Sequence, residues 1–157
     1  MRKVALVVDV SNMYYCVKSK YNSKLDYKAL YNYVKPLGDV HKAIAYGAQL
    51  EDEAKGFIDA LKHAGYEPRF KKPKTYSTEN GIRRKADWDV TIALELIQLG
   101  QDMDLIVLAC ADGDLAPAVQ QVLDSGCKVL VIGCNISSDL KSLTQFVEVP
   151  PSMLEQR

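Results

Sequence analysis

Several features are scarce or missing in this sequence of 157 residues, and each absence excludes a class of protein. No apolar run approaches the ~20 residues that a membrane-spanning helix requires. The apolar stretch Val4–Val8 is cut short at Asp9, and no cleavage-like segment follows it, so it does not form a signal peptide. We therefore expect a cytoplasmic protein with no membrane partner, or at least one that is not secreted by that route.

Common motifs for nucleotide binding and nucleophilic catalysis are also missing. No GxGxxG and no GxxxxGK[ST] occurs, so neither a dinucleotide site nor a P-loop is indicated. The two histidines, His41 and His63, belong to a predicted strand start and a predicted helix end, and spacing places neither in a catalytic arrangement. The four cysteines form no CxxC pair and no zinc-like spacing, which predicts reduced, structural thiols.

The chain lacks an excess of charge of either sign, because 20 basic and 20 acidic residues balance. The charges are nevertheless unevenly distributed. Residues 69–85 hold seven basic side chains and one acidic one, a net charge of +6, so the remainder carries −6. A molecule polarised in this way can present a cationic arm and an anionic pocket together. Within this stretch, residues 71–84 lose hydrophobic periodicity, which predicts an exposed loop.

Apolar runs and helical patterns alternate along the whole chain. Val4–Val8, Leu105–Ala109 and Lys128–Ile132 are nearly continuous apolar runs, as is typical of strands that are covered on both faces. Between such runs, apolar residues recur at helical spacing behind capping signals such as Asp26. The alternation predicts βαβ units and a three-layer α/β sandwich with a mostly parallel central sheet, in a single domain over residues 1–157.

Carboxylates directly follow two of the predicted strands. Asp9 ends the first strand, and Asp112 and Asp114 come just after Leu105–Ala109. Ligands of open α/β sheets bind beside the carboxyl ends of strands, and a buried carboxylate is costly unless it is paired. Asp9 therefore serves such a site or caps a helix beginning at Ser11. A helix has one N-cap, so Asp112 and Asp114 cannot both be caps, and one of them is left for another role.

A third acidic group opens a helix predicted from about Asp87 to Leu99. Asp87 suits the N-cap, whereas Asp89 is in register with Ile92 on the inward face of the helix. Glu95 lies about 120° around the helix from Asp89, a position more typical of a solvated side chain. We treat Asp87 and Glu95 as accessory candidates.

These acidic groups converge on one end of a parallel sheet with no histidine nearby in sequence. Carboxylates without His or Cys suit hard cations that prefer oxygen ligands, namely Mg²⁺ or Mn²⁺. Like charges this close call for a counter-ion, and carboxylate-bound Mg²⁺ indicates phosphate chemistry, in which the metal activates a water molecule and stabilises the leaving oxygen.

Basic residues adjoin the acidic helix, and aromatic residues follow Asn12. The basic segment is either a solvated charge run or a contact surface for the phosphates of a polynucleotide. Its candidate residues are Lys71, Lys72, Arg83, Arg84 and Lys85. Tyr14 and Tyr15 either pack against the protein or stack on unpaired bases.

Three segments of the sequence together resemble the NYN domain of the PIN-like nuclease superfamily, and its LabA-like branch in particular. They are Val7–Asn12, Asp89–Glu95 and Ala109–Leu115, and they occur in the expected order within about residues 3–149. Three positions differ from the usual pattern of that family. Cys110 replaces a serine, Leu115 replaces a phenylalanine, and Asp87 replaces the glycine that LabA-like members tend to have.

The resemblance implies a Rossmann-like three-layer sandwich and a metal-dependent endoribonuclease that acts on RNA. It implies that Asn12 is the polar residue that follows the first acid, and Glu95 matches a position where aspartate is frequent. The residues that match the acidic metal-site positions are Asp9, Asp89, Asp112 and Asp114.

Two other functions compete with a nuclease. The same fold can serve as an RNA-binding or regulatory module with little or no turnover. A haloacid-dehalogenase-type phosphatase also ends its first strand in aspartate, but its chemistry needs a second acid two residues later, where this chain has Ser11. The sequence leaves open whether the chain forms a homo-oligomer.

Overall fold

A computed structural model of the protein describes residues 1–48, 54–71, 74–78, 81–85 and 88–156, with the backbone alone for residues 54, 74–78 and 81–85. The strands are β1 (Lys3–Asp9), β2 (Asp39–Ala48), β3 (Glu67–Lys71), β4 (Lys74–Thr78), β5 (Gly81–Lys85), β6 (Leu105–Ala109), β7 (Lys128–Gly133) and β8 (Gln145–Glu148). The α-helices are α1 (Val10–Tyr21), α2 (Tyr27–Val34), α3 (Ala54–Ala64), α4 (Asp89–Asp102), α5 (Ala116–Asp124) and α6 (Ser138–Lys141). Single 3₁₀ turns occur at Lys35–Leu37, Gly113–Leu115 and Pro151–Met153.

Six of the strands form one sheet in the order β3-β2-β1-β6-β7-β8, and every neighbouring pair in it is parallel. The side chains of Val4–Val8 in β1 are fully buried because the sheet is covered on both faces. Val4, Leu6 and Val8 pack into one apolar core with α1 and α2, and Ala5 and Val7 pack into a second core with α4 and α5. The predicted three-layer α/β sandwich with a parallel sheet is therefore confirmed.

The prediction of a loop at residues 71–84 is wrong. β4 and β5 pair as an antiparallel hairpin, with Thr75 opposite Arg84 and Ser77 opposite Ile82. The sequence contains the turn-favouring pair Asn80-Gly81 where β5 begins. The strands themselves escaped detection because their residues are mostly polar or charged, and a strand is recognised in sequence by alternation of apolar and polar residues.

The helix boundaries follow local capping chemistry. The carboxylate of Asp26 accepts a hydrogen bond from the backbone N–H of Ala29 at 3.1 Å, which caps α2 as the sequence predicts. Gly65, with a φ of +106°, follows α3 in a left-handed conformation that glycine tolerates best. In the described part of the chain, none of the helices combines the length and apolarity that a membrane span requires.

Candidate metal centre

The strand order reverses between β1 and β6. The chain moves from β1 outwards to β2 and β3, and it then returns to the opposite side of β1 at β6. Ligands of open α/β sheets bind at the carboxyl ends of the strands beside such a reversal. Asp9 is the last residue of β1 and lies opposite Tyr46 of β2, while Val8 lies opposite Ala109, the last residue of β6. The acidic segments that follow β1 and β6 therefore begin at the same edge of the sheet.

Three of the predicted site residues come together at this edge. Asp89, Asp112 and Asp114 each provide a carboxylate oxygen, and these oxygens all lie within 4.8 Å of one another. Asp89 and Asp112 are partly buried, whereas Asp114 is exposed. Mg²⁺ binds oxygen ligands at about 2.1 Å, so oxygens on opposite sides of one ion are roughly 4 Å apart. The donor type and the spacing of the trio both fit a hard divalent cation.

Asp112 and Asp114 have different local roles. Asp112 occupies the N-cap of the turn Gly113–Leu115, where its Oδ1 accepts a hydrogen bond from the backbone N–H of Asp114 at 2.9 Å. Asp114 lies inside the turn and does not cap it. The two acids therefore divide as the sequence argument requires, with Asp112 as the cap and Asp114 as the acid left over.

Asp9 is 9% exposed and caps α1. Its Oδ1 accepts a hydrogen bond from the backbone N–H of Asn12 at 3.2 Å, and its Oδ2 accepts one from the thiol of Cys110 at 3.9 Å. Asp9 does not belong to the trio whose oxygens lie within 4.8 Å of one another. The helix-capping alternative for Asp9 is therefore realised, at a position next to the strand that leads to Asp112.

Cys110 contacts Asp9 and lies two positions before Asp112 in sequence. Burial of its thiol, together with the negative charge of Asp9, raises the pKa of Cys110 well above its usual value, and the charges of Asp112 and Asp89 act in the same direction. The thiol therefore stays protonated and can donate its hydrogen to Asp9. No local pattern in the sequence predicts this contact, because it joins residues that are 101 positions apart.

Asn12 joins the two acidic segments. Its Oδ1 accepts a hydrogen bond from the backbone N–H of Ala111 at 2.9 Å, which connects α1 to the segment that follows β6. Because the backbone N–H of Asn12 also bonds to Asp9, this residue holds the positions of Asp9 and Asp112 relative to each other. The side-chain oxygen of Asn12 thus positions the acidic segments of the site.

The expectation that Glu95 is solvated is wrong. Its side chain is 13% exposed and lies 3.6 Å from Nη1 of Arg69 in β3. Nη1 of Arg69 also donates a hydrogen bond to the hydroxyl of Tyr46 at 2.9 Å. The opposite charge of Arg69 makes burial of the Glu95 carboxylate tolerable, and periodicity along α4 could not reveal a partner on a distant strand.

An aromatic and basic cluster covers the same edge beside β2 and β3. The indole N–H of Trp88 donates a hydrogen bond to the backbone carbonyl of Gly47 at 2.9 Å, and its ring centre lies 5.1 Å from that of Tyr46. The ammonium group of Lys71 lies 4.1 Å from the centre of the Trp88 ring, within cation–π range. Trp88 is also the N-cap residue of α4 and directly precedes Asp89. No local pattern in the sequence relates Trp88 to Gly47, so this role could not be predicted.

The remaining predicted site residues are only partly located. Arg83, Arg84 and Lys85 lie on β5, whose end precedes Asp89 by four positions in sequence. Lys72 and Asp87 lie outside the described residues.

The chain belongs to the NYN domain family, whose model matches residues 3–150. "Low amplitude and bright protein LabA" of Synechococcus elongatus is 27% identical over 150 residues, which cover 90% of this chain and 80% of LabA. The uncharacterised protein MJ0482 of Methanocaldococcus jannaschii is 25% identical over 149 residues, which cover 92% of this chain and 54% of that protein. The predicted resemblance to the NYN domain and its LabA-like branch is confirmed.

A solved structure shows the same fold. The crystal structure of VPA0982, a protein of unknown function from Vibrio parahaemolyticus, superposes on this chain with a TM-score of 0.88 at 29% identity. The superposition covers 98% of this chain and 96% of VPA0982.

Proposed function

We propose that this protein is a ribonuclease that depends on Mg²⁺ or Mn²⁺ and hydrolyses phosphodiester bonds in RNA. The observation that carries the proposal is the convergence of Asp89, Asp112 and Asp114 at the reversal point of the sheet. Membership of the NYN family, which implies a PIN-like nuclease fold, supports the same function. The family match over residues 3–150 also supports a single domain over residues 1–157.

The three aspartates would hold the cation, and their anchoring suits this role. Asp89 belongs to the first turn of α4, Asp112 is held by its capping hydrogen bond, and Asp114 is exposed to an incoming ligand. Asp9 adds a fourth carboxylate, since its hydrogen bond from the thiol of Cys110 is a weak one that a cation can displace. When bound, such an ion lowers the pKa of a water molecule and stabilises negative charge on a phosphate oxygen.

The other predicted residues support the acids. Asn12 is a positioning residue, because it joins the helix that Asp9 caps to the segment that carries Asp112. The phosphates of RNA would contact the basic segment, whose strand β5 ends four positions before Asp89 in sequence. The members of that segment are Lys71, Lys72, Arg83, Arg84 and Lys85.

The test is a cleavage time course on labelled RNAs and DNAs with Mn²⁺, Mg²⁺ or EDTA. Asp112→Asn keeps an oxygen that can cap the turn, so we expect it to fold normally while it loses the negative charge. The matched control is Asp59→Asn, which changes an exposed aspartate of α3. We expect metal-dependent cleavage of RNA that falls about a thousandfold in Asp112→Asn, equivalent to several kcal/mol of lost stabilisation, and that is unchanged in Asp59→Asn.

Three results would contradict the proposal. Cleavage that continues in EDTA would exclude dependence on a divalent metal, and equal activity of Asp112→Asn and wild type would remove the acidic trio from the mechanism. The absence of cleavage by folded wild-type protein, with RNA binding retained, would favour the RNA-binding or regulatory module.

A further inference from the structure

A groove with aromatic and basic walls runs along α1. Its lining includes Tyr14, Lys18 and Asn22, which recur every four residues and so lie on one side of the helix. The opposite wall comes from the segment after α1 and from the C-terminal segment, including Lys24 and Glu155. The groove encloses about 320 Å³. A cleft of this size, open along a helix, can accept a segment of an extended chain.

Tyr14, which lines the groove, and its neighbour Tyr15 both have exposed rings. The side chain of Tyr14 is 41% exposed and that of Tyr15 is 70% exposed. The two ring centres are 5.4 Å apart and their planes meet at 81°. Nucleobases stack on exposed aromatic rings of this kind in proteins that bind single strands.

The charges along the groove favour an anion. The ammonium group of Lys18 lies 5.7 Å from the centre of the Tyr14 ring, and Lys24 lies farther along the same groove. Lys20, on the same helix, forms an ion pair of 3.2 Å with Glu148 of β8. The groove therefore has two lysines against the one acid, Glu155, among its lining residues.

Helix α1 links the groove to the candidate metal centre. This helix begins directly after Asp9, and a rise of 1.5 Å per residue places Lys18 about 13 Å along its axis from Asp9. That distance corresponds to roughly four nucleotides at the 3.4 Å spacing of a stacked strand. Asn12, which touches the segment leading to Asp112, shares its side of the helix with Tyr15, whereas Tyr14 and Lys18 lie at least about 120° around the axis from it.

We infer that this groove binds a single-stranded segment of the RNA, roughly four nucleotides along the strand from the phosphate that is cleaved. Bases stack on Tyr14 and Tyr15, and phosphates contact Lys18 and Lys24. The inference rests on the proposed ribonuclease function, for which it supplies a strand-binding subsite. A peptide partner fits less well, because polar and charged side chains line the groove beyond Tyr14.

The experiment measures binding without cleavage. A fluorescein-labelled single-stranded RNA of twelve nucleotides is titrated with protein in EDTA, and its anisotropy is recorded. Tyr14→Ala and Lys18→Ala are compared with Tyr33→Ala and Lys28→Ala, which change exposed residues of the same types on α2. We expect Tyr14→Ala to weaken binding about tenfold. We expect Lys18→Ala to weaken binding and to reduce its dependence on salt by about one phosphate contact.

A photochemical readout locates the contact directly. RNA containing 5-iodouridine is irradiated in the complex, and the attached peptide is identified by mass spectrometry. We expect attachment at Tyr14 or Tyr15.

Equal affinities of the α1 and α2 variants, attachment elsewhere, or no binding by wild type would each overturn the inference. If binding depends on Tyr14 but wild type never cleaves, the nuclease proposal fails and the groove stands. If cleavage depends on Asp112 but Tyr14→Ala binds RNA as tightly as wild type, the groove inference fails and the nuclease proposal stands.

Discussion

The carboxyl edge of the sheet has two flanks of opposite character. The acidic flank, beside β1 and β6, comprises Asp9, Asp89, Asp112 and Asp114. The basic and aromatic flank, beside β2 and β3, comprises Tyr46, Arg69, Lys71 and Trp88. A chain with no net charge therefore separates its charges within a single edge, which suits a site that must bind both a cation and a polyanion.

The two flanks use acidic residues differently. Glu95, on the same helix as Asp89, is held by Arg69 of the basic flank at 3.6 Å, so its charge is compensated within the protein. Asp89 lies with Asp112 and Asp114, whose carboxylates bring two further acidic groups close to it. Trp88 connects the flanks, because its indole bonds to Gly47 while the next residue is Asp89. The environment of each carboxylate, rather than its residue type, determines whether it can serve a cation.

The largest difference between the flanks should appear when one acid is removed from each. We expect Asp89→Asn to lower metal-dependent RNA cleavage about a thousandfold, because a negative charge leaves the cation site. Glu95→Gln should change the rate less than tenfold, because its carboxylate serves Arg69. The measurement is kcat/KM for a labelled RNA in Mn²⁺. Equal losses in the two variants would show that the flanks act as one site.

Two substitutions of Asp9 should distinguish the effect of its charge from the effect of its capping hydrogen bond. Asp9→Ala removes the acceptor that caps α1 and should lower the free energy of unfolding by about 1–2 kcal/mol. Asp9→Asn keeps an acceptor and should retain most of that stability, whereas both variants should lose cleavage activity. Urea unfolding and the cleavage assay measure the two effects. Full activity in Asp9→Asn would remove the Asp9 charge from the acidic flank.

Trp88 connects the two flanks, and its fluorescence should respond to metal binding. The emission can be assigned to this residue because the chain contains one tryptophan. We expect Mn²⁺ to quench its emission in wild type and to do so far more weakly in Asp112→Asn. Trp88→Phe keeps an aromatic ring but loses the hydrogen bond to Gly47, so calorimetry should show Mn²⁺ binding weakened about tenfold. Unchanged Mn²⁺ affinity in Trp88→Phe would mean that Asp89 is positioned independently of the basic flank.

The smallest expected effect is on the pH dependence of stability, through Tyr46 on the basic flank. Burial raises the pKa of Tyr46, and Glu95 adds to this, while Arg69 opposes it. The folded protein therefore keeps the Tyr46 proton at a pH where the unfolded chain, with a tyrosine pKa of about 10, begins to lose it. Stability from this group is present below pH 10 and is lost as the pH rises further. Between pH 9 and pH 10.5, urea unfolding should show a smaller loss of unfolding free energy in Tyr46→Phe than in wild type. An identical loss in the two proteins would contradict the assignment to Tyr46.

Local sequence determined the layout of the fold and the acidic end of the site. Continuous apolar runs such as Val4–Val8 can be buried only in a sheet covered on both faces, and the alternation with helical patterns leaves few topologies. The carboxyl ends of parallel strands meet at one edge, which gives the position of Asp112, and the register of Asp89 with Ile92 on the inward face of α4 predicts that the two acids converge. These features depend on neighbouring residues and on the general geometry of α/β sheets.

Tertiary structure alone determined which distant side chains contact one another around the site. The pairing of Glu95 with Arg69, the hydrogen bond from Trp88 to Gly47 and the contact of Cys110 with Asp9 each join segments that are at least 26 positions apart in sequence. The hairpin of β4 and β5 is a local feature that was missed for a different reason, because mostly polar strands carry no apolar alternation to reveal them. Periodicity describes which side of an element is buried, but the packing of distant elements selects which atoms meet there.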